Sequence, residues 1–181
     1  MVNRLIEKAQ QAVSALQSAE GQSDVVIHQR ISDALPLIIS MSGGLRCPRA
    51  NPHVAPANAA EADSYRQLIQ ESRLWISKFE RVLHERDKQA MVSTHRHLME
   101  ILSAEPKTFQ QILDACPGQD ADLLDQTLGT LIEAGLIDYH DAVEGGQDVR
   151  RGYTTADGMM IYREVFRRKK ASPTDPDSQD W

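Results

Sequence analysis

Five of the polar side chains in the second half of the chain are candidates for contact with phosphates and nucleic-acid bases. They are Gln126, Thr127, Thr130, Arg150 and Arg151. Guanidinium groups pair with phosphate oxygens, whereas side-chain amides and hydroxyls reach base edges or the backbone. Arg150 and Arg151 are the only basic residues between Lys107 and Arg163, and they closely follow a Gly-Gly turn. These two arginines are therefore the predicted phosphate contacts.

The elements that would position these residues occupy residues 92–160. Apolar residues at helical spacing predict three short helices. The first begins at Val92 and ends at Pro106, the second begins at Thr108, and the third ends at Gly135. Two short β-prone segments follow, and residues 144–148 between them predict a hairpin turn. This order predicts a winged helix-turn-helix over residues 90–158 with one β-hairpin.

Two segments of this region resemble a known group of proteins. Residues 107–118 read KTFQQILDACPG, and residues 151–158 read RGYTTADG. With the leucines of the third predicted helix, they resemble the winged-helix regulators of bacteria and archaea, among them the HxlR, MarR and PadR families. The resemblance covers about a third of the chain and falls mostly on core and turn positions, which specify a fold better than a function.

The resemblance implies a mode of DNA binding. In those families the third helix enters the major groove, which would place Gln126, Thr127 and Thr130 against the bases. The wing would bring Arg150 and Arg151 to the backbone or the minor groove. A homodimer would present two such modules to a pseudo-palindromic site on double-stranded DNA.

The charge distribution favours a different use of the same fold. The net charge is −6, and residues 104–146 hold one basic residue, Lys107, against nine acidic residues. On the third helix, Asp122 and Asp125 would face a polyanion. Two functions therefore stay open. One is a DNA-binding transcriptional regulator that contacts DNA mainly through the wing, and the other is an acidic interaction subunit that docks on a basic protein partner.

Catalysis and metal binding have little support in the sequence. The histidines are scattered, and His95 and His97 are two residues apart, so they do not share a helix face. Cys47 and His53 lie in a proline-rich segment without the further ligands that a zinc site needs. We expect a non-enzymatic protein with no metal site and no cofactor.

In the N-terminal half, residues 1–88, apolar residues at helical spacing predict three helices. The second is expected to break or kink at Pro36. A loop is expected over residues 42–58, because three prolines and two glycines disfavour a regular element there. The last of these N-terminal helices is predicted from Ala59 to Lys88. Along it, Leu68, Trp75 and Val82 recur every seven residues. That wide apolar face predicts a homodimer or a complex subunit.

The remaining expectations concern boundaries and location. Residues 89–170 are expected to form the winged-helix domain with a C-terminal helix capped by Thr155 or Asp157, and residues 171–181 a disordered tail. Hydrophobic residues make up 41% and charged residues 25% of the chain, as in ordinary globular proteins. No apolar run is long enough for a membrane span, and two cysteines in different segments indicate a reducing compartment. We expect a mainly α, cytoplasmic protein.

Overall fold

The computed structural model describes residues 4–170, with side chains for residues 4–166. This part of the chain is mainly helical, at 69%, and carries a small three-stranded antiparallel sheet. It divides into two compact units between His84 and Glu85. The predicted tail, residues 171–181, and the side chains of the basic cluster at 167–170 lie outside the described residues. Within residues 4–170, no helix combines the length and the apolar character that crossing a membrane requires.

Unit 1, residues 1–84, contains three helices. They are α1 (Arg4–Gln17), α2 (Asp24–Arg46) and the first part of α3 (Ala59–Thr94). Apolar residues three and four apart on α1 put Ala9, Val13 and Leu16 on one buried stripe. The stripe shares a core with residues of α2 and α3, of which Tyr65 and Phe79 are the largest. Burying such side chains contributes about 1.5–3 kcal/mol each, which fixes the three helices against one another.

The prediction of a loop from residue 42 is wrong, because α2 continues to Arg46 through an unbroken helix that contains Pro36. The buried residues Ile38 and Met41 hold the last turns of α2 in the core. The buried Gly44 then lets the following segment come close. A Cβ at Gly44 would stand 2.2 Å from the Val54 carbonyl oxygen. The irregular segment is therefore residues 47–58, folded back on the end of α2.

The apolar face of α3 is covered within unit 1. Leu68, Ile69, Ile76 and Leu83 are buried in the same cluster as residues of α1 and α2. Trp75 is half-buried at the edge of that cluster, with its ring 5.8 Å from the ring of Phe79. Intramolecular packing therefore covers Leu68 and part of Trp75 from the heptad pattern that predicted a dimer, whereas Val82 does not belong to this cluster.

Unit 2, residues 85–181, follows the predicted order of elements with one helix divided. The helix predicted from Val92 to Pro106 is wrong as a single element. Instead α3 ends at Thr94, and α4 (Arg96–Ala104) begins after His95, whose φ of −102° and ψ of 33° interrupt the helix. The other elements are β1 (Lys107–Thr108), α5 (Phe109–Ala115), α6 (Ala121–Glu133), β2 (Ile137–Glu144), β3 (Gln147–Thr154) and α7 (Ala156–Lys170).

The predicted hairpin is confirmed, and the sheet has one strand more than predicted. Strands β2 and β3 pair from Ile137 with Thr154 to Glu144 with Gln147. Gly145 and Gly146 form the turn with φ of 57° and 84°, a left-handed conformation that glycine adopts without strain. The two-residue β1 pairs with β3, giving the order β1-β3-β2. A strand of two residues leaves no periodic signal in a sequence, so the sequence does not predict β1.

The junction between the sheet and α7 is closed by Thr155, one of the two caps that the sequence predicts. The Thr155 hydroxyl donates to the Gly135 carbonyl at 2.7 Å and accepts from the Gly158 amide at 3.0 Å. The Thr155 amide donates to the Leu136 carbonyl at 3.1 Å. These bonds cap α7 and tie its start to the end of α6, so the hairpin and α6 are held in a fixed relation.

Candidate interaction surface

Side-chain caps fix the starts of α5 and α6. Thr108 caps α5 in a capping box with Gln111. Asp120 caps α6, because its carboxylate accepts from the amides of Asp122 at 2.9 Å and Leu123 at 3.2 Å. Leucines at positions 124, 128 and 131 then turn one side of α6 into the core. The opposite side of α6 is left facing outward.

The outward side of α6 is acidic around one exposed leucine. We call this surface the α6 face; its exposed residues are Asp122, Leu123, Asp125, Gln126, Thr130 and Glu133. Leu123 is 55% exposed although it is a large apolar side chain. No lysine or arginine occurs between Ala121 and Glu133. The α6 face therefore offers an apolar centre with a negative surround.

The three residues predicted to face DNA bases differ in what they can donate. The Thr127 hydroxyl donates to the Leu123 carbonyl at 2.8 Å, and the Thr130 hydroxyl donates to the Gln126 carbonyl at 3.0 Å. A hydroxyl has one proton, so these two groups present only lone pairs outward. Lone pairs do not bind phosphate oxygens. Gln126 is thus the exposed donor of the three.

The two arginines of the hairpin lie in different environments. Arg151 stands on β3, the central strand, opposite His140 of β2 and Thr108 of β1. Its guanidinium forms an ion pair with Glu144 and donates to the Pro106 carbonyl at 3.2 Å. The side chain is 25% exposed, and its Nε is buried without a hydrogen-bond partner among the described residues. Arg151 is therefore committed within the sheet.

Arg150 is exposed and stacks on an aromatic ring. Its guanidinium carbon lies 4.8 Å from the centre of the Tyr139 ring. Burial raises the pKa of Tyr139, the Asp125 carboxylate raises it further, and Arg150 lowers it. Asp141 is the register partner of Arg150 across the hairpin. The exposed cation of the hairpin thus lies across from Asp141 of β2, and Asp125 of α6 acts on the same tyrosine ring.

The remaining basic side chain of this region is also paired. Lys107 Nζ contacts the Glu105 carboxylate at 2.5 Å. The hydrogen bond and the charge of Lys107 lower the pKa of Glu105. Lys107, Arg150 and Arg151 are all the basic residues between Glu105 and Tyr162. Each of these three lies beside a carboxylate or an aromatic ring. The exposed carboxylates of α6 and β2 therefore make the net charge of this surface negative.

Two features of this surface are not among the predictions from the sequence. Leu123 was not recognised as exposed, although its three- and four-residue steps to Gln126 and Thr127 place it on the same side of α6. The pairing of Arg151 with Glu144 depends on β3 being the central strand. That follows from the short β1, which the sequence did not reveal.

A cavity of unit 2 is lined by residues of types that occur in catalytic sites. It has a volume of about 520 Å³ and is lined by His95, His97 and Cys116 among others. His97 Nε2 lies 3.2 Å from the Ala115 carbonyl, and burial raises the pKa of the Cys116 thiol. A raised pKa disfavours the nucleophilic thiolate. Within the described part of the chain, no three metal-binding side chains are grouped to hold an ion.

Comparison with known proteins supplies no relative. No protein-family model, no curated protein and no solved structure matches the chain.

Proposed function

We propose that residues 85–170 form a winged helix-turn-helix module that acts as a non-enzymatic protein-interaction subunit. The order α4-β1-α5-α6-β2-β3 and the strand order β1-β3-β2 support this assignment, since α6 takes the place of the third helix and the β2-β3 hairpin that of the wing. In this proposal the α6 face docks on a basic surface of a partner protein.

The exposed Leu123 within the acidic α6 face is the observation that carries the proposal. Protein interfaces combine an apolar centre with a polar rim, and complementary charges steer the partners together. DNA affinity depends instead on cations that neutralise phosphates. The α6 face has the apolar centre and the acidic rim, and it lacks cations.

A second candidate function rests on Arg150. This arginine is exposed on the hairpin, where a wing meets the DNA backbone, and Gln126 is an exposed donor on α6. These two residues support a homodimeric transcriptional regulator that contacts DNA mainly through the wing. Under this candidate, Asp122, Asp125 and Asp141 would oppose binding, since each adds a negative charge near the duplex.

Site-specific photo-cross-linking tests the interaction proposal. A photo-reactive residue replaces Leu123, and the same residue replaces Leu74 as the matched control. Leu74 is also an exposed leucine on a helix, at 70%, but it belongs to unit 1. We expect a protein adduct at position 123 that is absent at position 74. Asp122→Lys and Asp125→Lys should each remove the adduct, because they reverse the charge of the rim.

The outcomes separate the two candidate functions. An adduct of position 123 with nucleic acid would contradict docking on a protein and support the regulator. An adduct with protein that persists in both lysine variants would contradict the electrostatic part of the proposal. Circular dichroism of each variant confirms that the helices are retained.

A further inference from the structure

An open surface cavity in unit 1 is lined by three exposed arginines. It lies between the last turns of α2 and the first half of α3 and has a volume of about 310 Å³. Its lining consists of Ser42, Leu45, Arg46, Arg66, Ile69, Gln70 and Arg73. This volume is at the lower end of the range of small-molecule pockets. We call this cavity the arginine cavity.

The spacing of the lining residues brings one chemistry to the cavity. On α3, Arg66, Gln70 and Arg73 follow at steps of four and three residues, so they share one face of the helix. On α2, Ser42 and Arg46 are also four residues apart. All five side chains can donate hydrogen bonds, and three are permanently charged. Leu45 and the buried Ile69 supply an apolar part.

The positive charge of the cavity is only partly neutralised. Asp63 pairs with Arg66 at 2.5 Å, but this i,i+3 pair is exposed on both sides and contributes little. Arg46 and Arg73 have no carboxylate partner within residues 4–166. Nearby Glu71 is hydrogen-bonded to Gln17, and Glu61 accepts from the Ala57 amide. The cavity is thus lined by two guanidinium groups without a carboxylate partner among residues 4–166 and by a third in an exposed ion pair.

The segment after α2 holds Arg46 in place. The Cys47 amide donates to the Gly43 carbonyl at 2.9 Å, and the Asn51 side chain donates to the Cys47 carbonyl at 3.2 Å. The contact of Gly44 with the Val54 backbone fixes the same turn. The backbone at Arg46 is therefore held by the segment that follows it.

We propose that the arginine cavity binds a small phosphomonoester that carries a compact apolar group. Guanidinium groups bind phosphate oxygens in a bidentate way, and a phosphomonoester dianion can accept from several of them at once. Leu45 and Ile69 would contact the apolar group. The site lies wholly in unit 1, so it does not rest on the function proposed for unit 2.

Calorimetric titration of the full chain with phenyl phosphate tests the proposal. Phenyl phosphate combines the dianion with an apolar group, and inorganic phosphate and phthalate are the comparison ligands. We expect phenyl phosphate to bind more tightly than either. Arg46→Gln and Arg73→Gln should each weaken its binding by about tenfold to a hundredfold, the range for a lost hydrogen bond to a charged group.

Two further variants make the result decisive. Arg81→Gln is the matched control, because Arg81 is an exposed arginine on α3 that does not line the cavity. It should leave binding unchanged. Asp63→Asn should tighten binding, since it frees Arg66, and a misfolded variant would not show such a gain. The proposal is overturned if phenyl phosphate does not bind, if phthalate binds more tightly, or if Arg81→Gln loses as much affinity as Arg73→Gln.

Discussion

Neighbouring residues of the same type can have opposite roles when a strand register separates them. Arg150 and Arg151 are adjacent in the sequence, and both are predicted to contact DNA. In the folded hairpin, Arg151 shares one side of the sheet with Glu144, whereas Arg150 points to the other side and covers the Tyr139 ring. Of these two, only Arg150 is thus an exposed cation. The carboxylates of Asp141 and Asp125 weaken its attraction for phosphates.

The environment of Arg150 can be read from the titration of Tyr139. The positive charge of Arg150 favours the phenolate, and the Asp125 carboxylate disfavours it. We therefore expect Arg150→Gln to raise the pKa of Tyr139 and Asp125→Asn to lower it. Ultraviolet absorbance measures the phenolate, and Tyr139→Phe identifies its contribution. Equal titration curves for the wild type and Arg150→Gln would contradict the stacking of Arg150 on Tyr139.

The same shift makes stability depend on pH in the alkaline range. The pKa of Tyr139 is raised in the folded state, so the folded protein keeps this proton when the unfolded chain has lost it. The free energy of unfolding should therefore fall as pH rises from about 10, the ordinary tyrosine value, through the folded-state pKa. Denaturation at several pH values should show a smaller fall in Tyr139→Phe. A fall of the same size in that variant would assign the effect to other groups.

At the scale of elements, periodic patterns were predictable and close approaches were not. The apolar stripe of α1 and the Gly145-Gly146 turn each follow from local sequence alone. The continuation of α2 past Ser42 depends on Val54, ten residues beyond Gly44, lying against it. The pairing of β1 with β3 likewise joins residues more than forty positions apart. The site was predictable in its charge, but the exposure of Leu123 and the pairing of Arg151 required the folded chain.

Two adjacent glycines test the corrected end of α2. A Cβ at Gly44 would meet the Val54 backbone, whereas a Cβ at Gly43 would meet the Asn51 side chain at an ordinary 3.8 Å. Gly44→Ala should lower the free energy of unfolding by about 1–3 kcal/mol, the usual cost of overpacking. Gly43→Ala should leave it unchanged or raise it by up to about 1 kcal/mol through helix propensity. Urea denaturation measures both, and equal effects would contradict this packing.

At the scale of the whole molecule, the predicted homodimer needs a surface other than the buried face of α3. The exposed apolar residues Val25, Leu35 and Ile39 lie along one side of α2, with Val25 and Ile39 two heptads apart. We expect a homodimer to use this strip. Ile39→Glu should convert the dimer to a monomer in analytical ultracentrifugation, and Leu74→Glu, an equally exposed position on α3, should not. A wild-type chain that sediments as a monomer would refute the homodimer.

Under the proposed function, the α6 face docks on protein and does not bind DNA. A salt titration of the affinity for random duplex DNA, measured by fluorescence anisotropy, tests this. We expect no binding by the wild type even at low salt, and salt-dependent binding gained by Asp122→Lys and Asp125→Lys, because each removes a negative charge and adds a phosphate contact. Wild-type binding with a steep salt slope that Arg150→Glu alone abolishes would contradict the proposal and identify the β2-β3 hairpin as a DNA contact, since Arg150 is the exposed arginine of that hairpin.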